Sequence, residues 1–167
     1  MSKKQKNIFV ISVLVNVFLV VCLVIGYLRI SSAHKELFYS EVQYKLVKLD
    51  GLIEHQKKND WSEPKLVTTQ LSDVLNGIDA ATNNGKHSGW LSKDDQMVME
   101  HLDMALRQYP HDELYKFSVL TKSNKDEFEE LQLKLKKVGF GMNMTISNDW
   151  KSFITKSEKL SSLIEVK

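Results

Sequence analysis

The side chains in this sequence that could move protons or hold a metal are few and scattered. Five histidines stand at 34, 55, 87, 101 and 111. No two are four residues apart, the spacing that sets two imidazoles on one helical face around zinc. His101, beside Leu102, reads as a hydrogen-bonded residue at the edge of a core rather than as a ligand. Two methionine pairs, Met97 with Met99 and Met142 with Met144, carry the soft thioethers that select Cu(I). Helical residues two apart point in nearly opposite directions, so the first pair cannot chelate together. The second pair could converge in an extended connection, but no third ligand lies near it, and gap-filling in a core is the simpler use of both.

Nucleophile and phosphate motifs are missing too. The loop Gly85-Lys86-His87-Ser88-Gly89-Trp90 has no lysine after its second glycine, as a phosphate-binding loop needs, and no G-x-S-x-G elbow occurs. The only cysteine is Cys22. Carboxylates are scattered without a spacing that would pair an acid with a base. These patterns lead us to expect no metal, no cofactor and no catalytic residue, and a protein that acts without catalysis.

Contact residues are the better prospect. Trp90 lies in that glycine-bearing loop. Gly139 to Ile146 is a connection unusually rich in apolar residues, with Phe140, Met142 and Met144. Loops that carry aromatics can be contact sites, or can tuck under the bundle as core. Trp90, Phe140, Met142 and Met144 are the candidate partner contacts.

The stretch that places all of these is Ile8 to Leu28, IFVISVLVNVFLVVCLVIGYL, 21 residues without charge or proline. As a helix it is about 31 Å long, one bilayer core. Its length favours a retained signal-anchor over a signal cleaved after Ala33. Lys3, Lys4 and Lys6 precede it, and only Arg29 and Lys35 follow closely, a bias that sets the N-terminus in the cytoplasm and the rest outside. Residues 1–7 are then a cytoplasmic basic tail, 8–28 a transmembrane helix and 29–167 an extracytoplasmic domain. Ser12, Asn16 and Gly26 fall on one face of the span, suited to contact with another membrane helix or with a second copy.

The chain holds 23 basic and 21 acidic residues, and three of the basic ones are in the tail. The domain is therefore close to neutral. That argues against nucleic acid as a partner and against electrostatic adhesion of the domain to anionic lipid.

Apolar periodicity gives an all-α domain of five to six helices. Phe38, Val42, Leu46, Leu49 and Ile53 make the stripe of a first helix over 33–58. The spacing predicts a second from a Ser62 cap, with Trp61 packing on Leu66 as a staple, to a stop at Asn84-Gly85. A third starts at Ser92 with Asp94 and Asp95 in its first turn and stops at Pro110, burying Val98, Leu102, Ala105 and Tyr109. A short helical turn over 111–120 would set Leu114, Phe117 and Leu120 on one side. Thr121 or Ser123 opens the next helix, with acids first, lysines last, and Gly139 at its end. The last begins at Ser147. Breaks at Pro64, Gly85, Pro110 and Gly139 are too frequent for a long coiled coil.

The resulting expectation is a single-pass membrane protein whose helical domain acts by macromolecular interaction: an envelope regulator, inhibitor or assembly factor. The rival is a ligand-sensing domain. The sequence shows no second apolar span, so such a sensor would signal through a partner subunit.

Overall fold

In the computed structural model, which describes residues 3–114, 116–142 and 149–164, every regular element is helical. Among the described residues no strand forms, only one antiparallel bridge between Glu113 and Lys116. The chain divides into two compact units, 1–33 and 34–167.

The first unit belongs to helix α1, Lys3–Phe38. Its most apolar 18-residue window has a mean hydropathy of 3.2 and buries nothing within the protein. By length and composition it can cross a membrane.

The second unit begins with the end of α1, then a π-helical turn, Tyr39–Gln43, and α2, Tyr44–Lys58. Phe38, Val42 and Leu46 are two successive steps of four apart, which would drift around a regular α-helix. The wider π turn absorbs that drift, and all three are buried together with Leu49 and Ile53. α3 packs tightly on this turn: a Cβ added at Gly77 would stand 2.0 Å from the Glu41 carbonyl oxygen.

α3 is Lys65–His87, and its face of Val67, Leu71, Val74, Leu75 and Ile78 is buried as expected. Both of its ends differ from the sequence reading. The residue before its first turn is Pro64, with no side-chain cap, so Ser62 does not cap it. Asp60 and Trp61 both take positive φ, 50° and 56°, at the end of α2. That turn aims the Trp61 ring at Phe128, 6.3 Å between centroids, and its indole N–H at Glu129, 3.3 Å away. Leu66 is left exposed, so no staple forms. At the far end Gly85 is inside the helix, buried against the Leu91 side chain, and the left-handed residue is Gly89 with φ 66°.

α4, Lys93–Leu106, starts as read: the Ser92 hydroxyl accepts the Asp95 N–H at 3.1 Å. Its buried face is rotated slightly, taking Met99, Leu102, Ala105 and Leu106 and leaving Val98 half-buried. Tyr109 is buried beyond the helix end. His101 is exposed. Among the described residues of 111–120 no helix forms.

α5, Lys122–Val138, follows the sequence closely. Thr121 and Asn124 form a reciprocal capping box, and Gly139 closes the helix at φ 90°. Phe128, Leu131, Leu135 and Val138 face inward. α6, Trp150–Leu163, is capped by the Asp149 carboxylate, which accepts the Ser152 N–H at 2.9 Å. The expected start at Ser147 lies outside the described residues. α2 packs between α3 and α5, α4 packs on α3 and α6, and α5 on α6, around one core.

Buried amides tie these helices through backbone carbonyls. The Gln70 side chain donates to Lys45 O at 3.2 Å, and Gln132 donates to Asp50 O at 3.2 Å. Gln56 accepts the Glu63 N–H at 2.9 Å and so fixes the turn between α2 and α3. A buried amide left unpaired costs more than its bond returns, and the Gln56 Nε2 is such a group, buried without a partner among the described residues.

Candidate functional site

The connection from Arg107 to Thr121 holds the most conspicuous surface of the domain. Pro110 ends the preceding turn, and the next residues bond to α3 instead of to each other. The Thr69 hydroxyl donates to the Asp112 carboxylate at 2.6 Å, and the Ser118 N–H donates to its other oxygen at 3.0 Å. Ser72 accepts the Asp112 N–H at 2.8 Å and donates to its carbonyl at 2.9 Å. Ser118 also donates to the His111 carbonyl. Aspartate and serine side chains compete in this way with helical backbone bonding. Burial pushes the Asp112 carboxyl up. The hydrogen bonds from Thr69, the Ser118 N–H and Thr68, with the charge of His111, outweigh that and hold it below its ordinary value.

Above this base the chain doubles back. Glu113 and Lys116 exchange two backbone bonds of 3.0 Å. The fold-back turns three large apolar side chains to solvent: Leu114 is 83% exposed, Phe117 66% and Val119 86%. The Lys65 ammonium sits 5.4 Å above the Phe117 ring. Glu113, Lys116 and Lys122 are exposed along the same stretch of chain. A tethered base and an apolar tip are the parts of a docking element, since most exposed leucines and phenylalanines occur singly and need no explanation. The helical turn expected over 111–120 would set Leu114, Phe117 and Leu120 on one side. Only Leu120 packs against the core. Phe117 and Val119, two apart, were the available signal for extended chain.

The residues singled out from sequence fall elsewhere. Phe140 is wholly buried, 6.1 Å from Phe153 between ring centroids, with the Lys156 ammonium 5.8 Å from its own. It is core, which corrects its assignment as a partner contact: the Gly139 turn directs it inward. Trp90 is half-buried, stacked on His34 at 5.4 Å and edge-on to Trp150 at 4.8 Å. Phe38 and Phe153 link the Trp90 and Phe140 rings into one aromatic cluster. Met142 is 62% exposed, with its N–H donating to the buried Asp50 carboxylate at 3.0 Å and its thioether against Gly51. Met144 lies outside the described residues. In the first unit the Asn16 amide donates to Ser12 O at 2.8 Å, within its own helix, and Gly26 has open space around it.

Titratable groups are engaged in structural pairs. Burial raises the Asp50 carboxyl, against the Met142 N–H and the charge of Lys136. Lys136 and Lys58 bond Glu54 and hold its carboxyl down at about 2. Among the described residues no group of three or more histidine, cysteine or acidic side chains could hold a metal.

Several grooves open on the described surface, one of about 230 Å³ at the base of the loop beside Ser72, Arg107, His111 and Asp112, and two are larger. One, of about 660 Å³, has a floor of Tyr109, Leu163 and Ile164 and a rim of Glu127, Glu130 and Lys134. Burial, then the charges of Glu130 and Glu127, push the Tyr109 hydroxyl up to about 12. The other, of about 330 Å³, lies between α3 and α4 beside Met99, Met104, Asp79 and Asp103. In it the Thr82 hydroxyl and one Asp103 oxygen are buried without a hydrogen-bond partner among the described residues.

No protein-family model, no curated protein and no solved structure matches the chain.

Proposed function

We propose that this is a single-pass membrane protein whose helical domain lies outside the cytoplasm and acts by binding another macromolecule, as an envelope regulator, inhibitor or assembly factor would. The observation that carries the reading is the trio Leu114, Phe117 and Val119, turned to solvent on a loop that Asp112 fastens to α3. Apolar side chains held in place before contact lose little freedom on binding, and aromatic anchors dominate interface energies. The apolar run of α1 supports the anchor, and Lys3, Lys4 and Lys6 ahead of that run support the orientation.

The test has two arms. A cysteine at Ser88 should react with a membrane-impermeant thiol reagent on intact cells; reaction only after lysis would reverse the topology. A photo-crosslinking residue at Val119 of the full chain should give one adduct of defined mass in cells, and the same residue at Lys151 should not. A smear of adducts at both positions, or none at either, would remove the loop as a docking element.

A further inference from the structure

The groove of about 330 Å³ between α3 and α4 is bridged by ion pairs at two places. At one, Arg107 donates to Asp79 at 2.9 Å and to Asp103 at 2.6 Å. At the other, Lys86 meets Glu100 at 3.4 Å. Thr82 lies between Asp79 and Lys86 along α3, and Asp103 lies between Glu100 and Arg107 along α4. Thr82 is 8% exposed and the Asp103 side chain 17%. Arg107 takes the Asp103 Oδ2, but the Asp103 Oδ1 and the Thr82 hydroxyl have no hydrogen-bond partner among the described residues. Two orphaned polar atoms therefore line one groove, one from each helix, between the two bridges.

Buried polar atoms of this kind are unfavourable without a partner. An ionised carboxylate only accepts hydrogen bonds, whereas a hydroxyl accepts and donates, so an occupant that satisfies both atoms must bring donors. Three carboxylates, Asp79, Glu100 and Asp103, face two cations, Lys86 and Arg107, so one negative charge is left when every pair is counted. A cationic donor meets both needs. Ile78 and Met99, both buried, and the half-exposed Met104 add apolar wall beside the polar atoms. Water is the common partner of such atoms, but one water fills only about 10–15 Å³ and brings neither charge nor apolar surface.

We propose that the α3–α4 groove binds a small free primary amine as its ammonium ion, donating to the Asp103 Oδ1 and the Thr82 hydroxyl, with its alkyl chain along Ile78, Met99 and Met104. An ammonium has three donors and no acceptor, which suits two acceptors left open side by side in the sequence of both helices. The groove is near the lower end of the about 300–1,000 Å³ usual for ligand pockets, so the chain is a few carbons long. The two orphaned atoms have almost no contact with solvent, so entry requires Met104 or Lys86, both half-exposed and unbranched, to swing aside. This site is independent of the loop, and the failure of either leaves the other standing.

The probe is n-butylammonium chloride, added to the full chain in detergent with its methionine methyl groups labelled with carbon-13. The methyl NMR signals of Met99 and Met104 should shift to saturation, those of Met97 and Met142 should stay, and equal sodium chloride should move none. n-Butanol, with the same chain and no charge, should bind at least about tenfold more weakly. Thr82→Val keeps the ion pairs and should weaken butylammonium about threefold or more without lowering stability. Asp103→Asn should weaken it at least about tenfold; because it also loosens Arg107, it is read beside Thr82→Val. Absence of a saturable shift at Met99 and Met104 would leave water as the occupant and overturn the proposal. So would equal binding of butanol, or full affinity in Thr82→Val. Nα-acetyllysine N-methylamide carries the same ammonium on a peptide backbone and should bind no better than butylammonium. Tighter binding would assign the ammonium to a lysine of a protein partner and overturn the free amine.

Discussion

Phe140, two residues past the end of α5, has no exposed surface, whereas Phe117, five residues before its start, is 66% exposed. Both lie in short connections with apolar neighbours, and the difference is in the backbone. Gly139 takes φ 90°, and the Phe140 N–H returns to the Leu135 carbonyl at 2.9 Å. That left-handed stop folds the chain back over the helix end and drives the next side chain into the core. Among the described residues between Arg107 and Phe117 no such stop occurs. The backbone is held by Asp112, Ser118 and Ser72, whose bonds fix the loop's course without turning its apolar residues inward. Hydrophobicity alone therefore does not decide burial in a connection; the hydrogen bonds that set its direction do.

The largest expected effect divides the two phenylalanines. Phe140→Ala should destabilise the protein by about 3–5 kcal/mol, and Phe117→Ala by no more than about 0.5 kcal/mol, in denaturant titrations of the full chain in detergent. Equal losses would break the comparison. Next comes the frame on which the loop rests. Gly77→Ala sets a methyl group against the Glu41 carbonyl and should cost about 1–3 kcal/mol. Gly89→Ala meets open space and should cost only the left-handed strain, about 1–2 kcal/mol. A harmless Gly77→Ala would mean that α3 is not held tightly on the π turn.

Asp112→Ala should cost about 1–2 kcal/mol, through the lost bonds from Thr69 and the Ser118 N–H. Its sharper consequence is in binding: capture through Val119 should fall although Phe117 is untouched, because the tip is no longer held in place. Unchanged capture would show that the fastening is not needed.

The smallest effect is in acid, and it bears on the buried connection. Glu54, bonded to Lys136 beside Asp50, has its carboxyl lowered from 4.5 to about 2. A lowered folded-state pKa gives stability that is present above pH 4.5 and is lost as pH falls towards 2. Asp50 is raised, so its contribution runs the other way and grows on acidification. Glu54→Gln should flatten the acid limb of a pH-stability curve slightly. A steeper limb in that variant would contradict the assignment.

The sequence was most legible where a local rule and the tertiary contacts agree. The Phe128, Leu131, Leu135 and Val138 face and the Gly139 stop of α5 read directly, as did the α2 stripe and the Ser92 cap, while of the two starts open to α5, Thr121 and Ser123, the structure takes Thr121. It misled where distant partners decide. Trp61 stands where a staple to Leu66 is locally reasonable, but Phe128 and Glu129, far along the chain, take its ring and its N–H. Gly85 resembles a helix stop and is instead a point of close approach to Leu91. The loop was missed for the same reason. Leu114, Phe117 and Leu120 repeat every three residues, as on a helix, yet Asp112 and Ser118 have stronger partners on α3 and across the loop than a helical backbone would give them.

The most direct test of the central claim measures capture and stability on one variant, Phe117→Ala of the full chain with a photo-crosslinker at Val119. The account predicts an unchanged denaturation midpoint and at least about a 30-fold loss of adduct formation at limiting partner, the equivalent of 2 kcal/mol or more for a central aromatic anchor. Full adduct formation with Phe117 removed, or a midpoint lowered as far as that of Phe140→Ala, would contradict it.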